Sequence, residues 1–239
     1  MKKVLITGAM SGIGKQLARD YADANYQVIA CGRNEKVLNQ LNTHTNIQSL
    51  SFDVTNRDET ILVLSQLSNI DIVILNAGNC EYIQDALHFD SVLFERMIKV
   101  NLLSISYCLE ALIPNLKLGS KVCLMSSSVV YLPLAGAEAY GASKAAATYL
   151  GNTLSVSLAK YNIDVCVIHP GFVDTPLTRK NTFDMPLSVT VVEASQYIRK
   201  GIDKGRSEIH FPKRFTFILK LLNKLPHFIW RSIAIRIAS

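Results

Sequence analysis

Tyr140 and Lys144 stand four residues apart in the run Tyr140-Gly141-Ala142-Ser143-Lys144. On a helix, positions i and i+4 share a face, so a phenol and an ammonium at this spacing can reach one pocket. A free tyrosine titrates near ~10, too high for a general base at neutral pH. An adjacent ammonium favours the phenolate and is expected to lower that value. The pair therefore reads as a proton-transfer couple, in which Tyr140 protonates an oxygen gaining electron density or works in the reverse sense. Upstream, Ser126-Ser127-Ser128 offers hydroxyls that could hold and polarise a substrate oxygen.

A second run binds rather than reacts. Thr7-Gly8-Ala9-Met10-Ser11-Gly12-Ile13-Gly14 follows an apolar stretch and opens an amphipathic one. Glycines allow a tight strand-to-helix turn and a close approach of phosphate to the main chain. The following helix start adds unpaired N–H groups and partial positive charge. A dinucleotide is the expected ligand. An NAD site usually ends its second strand with an acid for the ribose 2′-hydroxyl. Here Gly32 stands at that point and Arg33 follows. Without the acid, and with a guanidinium able to fork onto a 2′-phosphate, NADP(H) is favoured over NAD(H).

These groups need a scaffold that brings distant segments together. Short, unbroken apolar runs at 3–7, 27–31, 47–52, 70–75, 121–126, 163–169 and 208–211 predict strands covered on both faces. Between them, helices are predicted at 12–24, 35–41, 57–67, 91–116, 138–161 and 192–204, with Asn34 and Asn56 as N-caps. Strand–helix alternation with short connections predicts an α/β fold, a Rossmann-like doubly wound parallel sheet. The expected organisation is one oxidoreductase domain over 1–212 and a basic amphipathic C-terminal tail over 213–239. The 239 residues, 49% hydrophobic and 18% charged, suffice for a full core.

Taken together, these motifs resemble the short-chain dehydrogenase/reductase family, whose single-domain branch carries TGxxxGxG and YxxxK. The resemblance spans about residues 3–211. It implies hydride transfer between a nicotinamide and a carbonyl or secondary alcohol, with oxidised nicotinamide also favouring the Tyr140 phenolate. Family spacing selects Ser127, 13 residues before Tyr140, as the hydroxyl that bonds the substrate oxygen. Asn101 is implied to hold a water in a proton relay with Lys144, and Lys144 to bond the nicotinamide ribose. Asp53-Val54 matches the adenine-recognising strand end. Asn76-Ala77-Gly78 matches the family's NNAG motif with Leu75 in place of the first Asn. Pro170-Gly171-Phe172-Val173-Asp174-Thr175 matches the PG motif, with Pro170, Gly171, Val173 and Thr175 facing the nicotinamide. Family NADP enzymes often carry a basic residue in the glycine loop; Ser11 sits there. No metal is expected, and His169 reads as a packed histidine.

The segment 174–190 is the expected substrate lid. Its Pro176, Leu177, Phe183, Met185, Pro186 and Leu187 suit either an apolar substrate or packing on the body, with Arg179 and Lys180 among them. Charge is unevenly spread. Residues 204–239 carry eight Lys/Arg against Glu208 alone, a net +7, which leaves −1 of the overall +6 for the rest. Tail residues Ile218, Leu221, Leu222 and Leu225 follow helical spacing; Pro226 interrupts, and Phe228, Ile229, Trp230, Ile233 and Ile237 resume. Such a tail suits peripheral contact with an anionic membrane or packing on a subunit. Basic residues interleaved with large aliphatics argue against a nucleic-acid groove.

Five scattered cysteines suit reduced thiols and a cytoplasmic setting. No signal peptide or spanning helix is expected. The resemblance implies a homodimer or homotetramer paired through the helices at 91–116 and 138–161. The leading reading is reduction of an apolar ketone or aldehyde. Alcohol or hydroxysteroid dehydrogenation and 3-oxoacyl-type chemistry use the same residues. From outside the enzymes, an NADP(H)-binding sensor or scaffold is the alternative.

Overall fold

The computed structural model describes residues 1–41, 44–180 and 184–238. Seven strands form one sheet: β1 (Lys3–Thr7), β2 (Gln27–Gly32), β3 (Ile47–Ser51), β4 (Ile72–Leu75), β5 (Lys121–Met125), β6 (Asp164–Pro170) and β7 (Glu208–Phe211). Their order is β3-β2-β1-β4-β5-β6-β7, and every pairing is parallel. The winding direction reverses between β1 and β4, so the loops leaving these strands diverge and open a crevice at their carboxyl ends.

Both sheet faces are covered, which explains why the strands read as continuous apolar runs rather than alternating ones. On one face Val4, Ile6 and Ile74 pack with Leu17 and Tyr21 of α1 (Gly12–Asp23) and Ile198 of α7 (Val191–Asp203). On the other, Leu5, Val73 and Leu124 pack with Leu64 of α3 (Arg57–Leu64), Leu109 of α5 (Ser104–Leu112) and Ala147 of α6 (Glu138–Ala159). Each fully buried Leu or Ile contributes roughly 1.5–3 kcal/mol. Asn34 caps α2 (Glu35–Asn39) and Asn56 caps α3, each accepting the backbone N–H three residues on.

The long helix expected at 91–116 is composite. It runs through α4 (Ser91–Ile98), a π-turn (Lys99–Leu103), α5 and a 3₁₀ turn (Ile113–Asn115). In the π-turn the Ser104 N–H reaches back five residues to the Lys99 carbonyl. Such one-residue insertions recur at functional sites, and this one contains Asn101. By length and hydropathy, Ser91–Asn115 could cross a membrane, which corrects the expectation that no segment would. Scattered Glu95, Arg96 and Lys99 break any uninterrupted apolar run, yet the mean hydropathy stays high. Here the helix packs on α3 and α6, as a core helix does.

The tail forms α8 (Lys213–Leu222) and α9 (His227–Ala238). Its inner side is docked on the body. Lys220 Nζ reaches both Glu208 oxygens at 2.7 Å, and Trp230 Nε1 donates to the Pro133 carbonyl at 3.1 Å.

Candidate active site

The glycine loop leaves β1 at the crevice. Gly8 adopts φ +68, a left-handed conformation that disfavours any side chain. A Cβ on Gly14 would collide with the Gly8 carbonyl, so α1 can begin only this close to the loop with glycine there. Asn76, at the end of β4, braces the loop by donating from Nδ2 to the Thr7 and Gly8 carbonyls at 3.0 and 3.4 Å. Thr7 Oγ1 accepts from the backbone N–H of Asn76 and Ala77, both at 3.0 Å. Asn76 thus joins the two diverging loops even with Leu75, a buried core residue, where the family has another Asn.

Ser11 takes the N-cap position of α1 with extended backbone, but its side chain makes no capping bond, and no acid lies in the first turn. The first N–H groups of α1 are therefore left to a ligand, and the partial positive charge there suits an anion. The residues present fit a dinucleotide's phosphates. At the end of β2, the space a side chain on Gly32 would fill is taken by Met10. A side chain there would have to displace the Met10 thioether, and Arg33 beside it is exposed. Asp53 spends Oδ1 on the Thr55 N–H and hydroxyl, at 2.9 and 2.8 Å. Its Oδ2 takes no hydrogen bond among the described residues. Val54 packs partly into the core beside it.

Ser127, Tyr140, Lys144 and Asn101 converge at the carboxyl ends of β4 and β5 and the first turns of α6. Ser127 caps the 3₁₀ turn Ser128–Tyr131, its hydroxyl accepting from the Val129 N–H at 3.2 Å, and it lies near enough to the Tyr140 phenol to favour the ionised form. The neighbouring serines are otherwise engaged: Ser126 bonds the Lys144 carbonyl and Thr148, and Ser128 is buried. Lys144 Nζ lies 5.9 Å from the centre of the Tyr140 ring and donates to the Met125 carbonyl at 2.9 Å. Asn101 is fully buried. Its Oδ1 accepts from the Asn79 N–H at 2.8 Å, while Nδ2 donates to the Asn79 carbonyl at 2.9 Å and to Ser143 Oγ at 3.0 Å. Asn101 Oδ1 and Lys144 Nζ crowd Gly78 too closely for any side chain there.

Electrostatics corrects one expectation. Burial pushes the Tyr140 phenol well above its ordinary range, the Cys80 thiol adds to this, and the nearby Ser127 hydroxyl only partly opposes it. Lys144 does not lower it, because burial drives the ammonium itself down to about 8. Tyr140 is thus held as a protonated phenol, the form that can give a proton.

The segment after β6 lies against the glycine loop. Gly171 donates to the Phe211 carbonyl at 2.7 Å, and Pro170 pairs opposite Phe211 in the sheet. Val173 bridges to Val189, and buried Thr175 lies against Gly12, so the two cofactor loops meet. In the lid, Arg179 is paired with Asp174 at 2.8 Å. Phe183 lies outside the described residues.

Three neighbours of the site escaped the sequence reading. Cys80 is half-buried, bonds the Tyr82 hydroxyl and interacts electrostatically with Tyr140 and Lys144; the Tyr82 ring sits 6.5 Å from that of Tyr140. Their position just after the Asn76-Ala77-Gly78 turn was the available signal, since a chain leaving β4 must cross the crevice. His169 is indeed buried and packed, but its Nδ1 bonds the Ser127 carbonyl at 3.2 Å, and its Nε2 lies 3.8 Å from Glu208. Burial lowers its pKa, so the ring is neutral at pH 7 and donates from Nδ1. A cleft of about 660 Å³ opens beyond His169, lined by Tyr149, Asn152 and Glu208 but by none of Ser127, Tyr140 or Lys144.

The family model described as short chain dehydrogenase matches residues 2–185. The chain belongs to the short-chain dehydrogenase family. An uncharacterized oxidoreductase of Myxococcus xanthus is 30% identical over 241 residues, covering 95% of this chain and 93% of the relative. An 11-beta-hydroxysteroid dehydrogenase-like 2 protein of Arabidopsis thaliana is 29% identical, covering 95% of this chain and 79% of the relative. Among solved structures, the closed form of a serine dehydrogenase complexed with NADP+ superposes with a TM-score of 0.77 at 25% identity, covering 87% of this chain and 94% of that one. This short-chain dehydrogenase is therefore an oxidoreductase acting on CH–OH or C=O groups with a nicotinamide dinucleotide.

Proposed function

We propose that the protein is an NADP(H)-dependent reductase of an apolar ketone or aldehyde. The observation that carries this reading is the gathering of Ser127, Tyr140 and the Lys144 ammonium at the carboxyl end of the sheet, where the braced glycine loop also leaves β1. The nicotinamide, when bound, supplies the hydride. Every other task falls to the chain. Thr7, Gly8, Ser11, Gly12, Ile13 and Gly14 line the phosphate turn at the start of α1. Asp53 and Val54 flank the adenine end, and Asn76 to Gly78 form the floor. Pro170, Gly171, Val173 and Thr175 bound the amide end.

Ser127 Oγ holds the substrate oxygen and polarises it. Tyr140 gives its proton to that oxygen as negative charge develops. Lys144, anchored by Met125, faces the cofactor ribose and supplies positive charge next to the phenol. Both ends of the Asn101 amide are engaged, so its side chain positions the Asn79 segment; holding a water falls to its backbone carbonyl.

Arg33 and the Met10-filled space at Gly32 support a preference for the 2′-phosphorylated cofactor. The apolar lid residues support an apolar substrate. Exposed Leu103, Tyr149 and Val156 on the π-turn and α6 support pairing of subunits into a homodimer or homotetramer through these helices. Oxidation of a hydroxysteroid is the second reading, favoured by the name of the Arabidopsis relative. The test is the initial rate of NADPH oxidation, and of NADP+ reduction, over ketone, aldehyde and alcohol panels with NAD(H) in parallel. Faster turnover with NADPH on apolar carbonyls is expected. A preference for NADH would overturn the Arg33 argument, and tight NADPH binding without turnover of any substrate would favour a sensor.

A further inference from the structure

The helices α8 and α9 have two unlike sides. Inward, Thr216 and Trp230 are buried, and Phe215 packs on Phe172 with ring centres 5.4 Å apart. Lys220 is taken up by Glu208, and Lys213 Nζ sits 2.9 Å from His210 Nε2. Outward, Arg214, Phe217, Leu221 and Lys224 follow one another at helical spacing along α8 and its end, all exposed. Phe228, Arg231 and Ile235 repeat the pattern on α9. Phe217 is 66% exposed, Leu221 57% and Phe228 71%. The segment 213–239 contains six Lys/Arg and no acid.

We propose that this outer face docks on an anionic lipid bilayer surface. Large apolar side chains alternating with cations match the boundary between acyl chains and negative headgroups, where the apolar groups leave water and each cation gains attraction. A second copy fits poorly. Two-fold pairing of the face with itself would set Arg214, Lys224 and Arg231 against their like with no carboxylate from 213–239 between them. The inner contacts fix which side faces out, because Trp230 and Lys220 hold the helices on the body without using any residue of the outer stripe. They also place the surface behind the site: α8 backs Gly171 and Phe172 through Phe215.

The test uses the full-length protein and sedimentation with vesicles of phosphatidylcholine, alone or mixed with phosphatidylglycerol. Binding to the mixed vesicles, absent from the neutral ones and weakened by salt, is expected. Replacing Arg214, Lys224 and Arg231 together by Gln should weaken partitioning about a hundredfold, at about one kilocalorie per mole for each cation. Phe217→Ser with Phe228→Ser should weaken it while leaving all charges in place. NADPH affinity and the melting temperature, unchanged in both variants, report that the fold is intact. Failure of the wild type to pellet with anionic vesicles, equal pelleting with neutral ones, or wild-type pelleting by the Gln variant would overturn the proposal. So would a changed oligomeric state in Phe217→Ser without vesicle binding, which would assign the face to a subunit contact.

Discussion

At the end of β1 the site is made of backbone, whereas around Ser127 it is made of side chains reaching across from elements far apart in the chain. The phosphate end consists of a left-handed Gly8, the bare start of α1 and a loop pressed against Gly14. The groups around Ser127 come from separate elements: Tyr140 and Lys144 from α6, Asn101 from the π-turn and His169 from β6. Backbone sites tolerate no added atoms, and here Asn76 and Thr7 hold the loop in place. Side-chain sites tolerate volume changes but fail when one link is cut.

Substitutions can break this contrast at either end, and the largest effect on cofactor binding is expected at the first. Gly14→Val puts methyl groups into the Gly8 carbonyl and the Asn76 amide. It should weaken NADPH binding about a hundredfold, close to 3 kcal/mol, as read by fluorescence titration. Wild-type affinity would show that the loop is not the phosphate cradle.

The difference between the two ends also explains what could be read in advance. A glycine spacing encodes a turn locally, so Gly8, Gly12 and Gly14 were legible, as were Tyr140 and Lys144 from helical periodicity. The alternation of apolar runs gave the sheet to within a residue or two, because burial on both faces demands it. Three features were not legible. The π-turn at Asn101 adds one residue without any compositional mark. The rise in the Tyr140 pKa follows from burial, which spacing does not encode. The docking of α8 and α9 rests on Trp230 meeting Pro133 and Lys220 meeting Glu208, contacts of long sequence separation between residues unexceptional on their own. Asn76 was legible as a motif member, but its bracing of Thr7 and Gly8 was not.

Lys144 sharpens the contrast, since a side-chain site can be stabilised by being disabled. Its folded pKa of about 8 lies below the unfolded value near 10.5. The protein therefore bears a penalty of about 3 kcal/mol for keeping the charge at neutral pH. Lys144→Met relieves it and loses the Met125 hydrogen bond, about 1 kcal/mol. A net gain near 2 kcal/mol at pH 7 is expected in urea unfolding, with turnover lost. The unfolded chain keeps the proton between the two pKa values and the folded chain does not, so wild-type stability rises with pH across that window. The advantage of the mutant should shrink above about 8 and vanish near 10.5. In the same window kcat/KM for carbonyl reduction should fall as pH rises through about 8, where Lys144 loses its charge. A flat profile would remove the ammonium from the proposed machinery.

Arg33→Ala should reduce the preference for NADPH over NADH about tenfold by removing one charge-assisted pair, measured as the ratio of kcat/KM values. An unchanged ratio would place the 2′-phosphate elsewhere. The smallest effect is expected from His169→Phe, which keeps the buried ring volume but drops the bond to the Ser127 carbonyl. A few-fold fall in kcat with the NADPH KM unchanged would mark His169 as a positioning residue. A matching loss of thermal stability with kcat intact would make it a packing residue only.

The most direct test of the central claim is NADPH consumption in a single turnover by wild type and Tyr140→Phe, on whichever carbonyl the panel selects. The phenylalanine keeps the half-buried ring and removes only the phenolic hydroxyl. The account predicts unchanged NADPH affinity with hydride transfer slowed about a thousandfold. Transfer at the wild-type rate with the hydroxyl gone would contradict it.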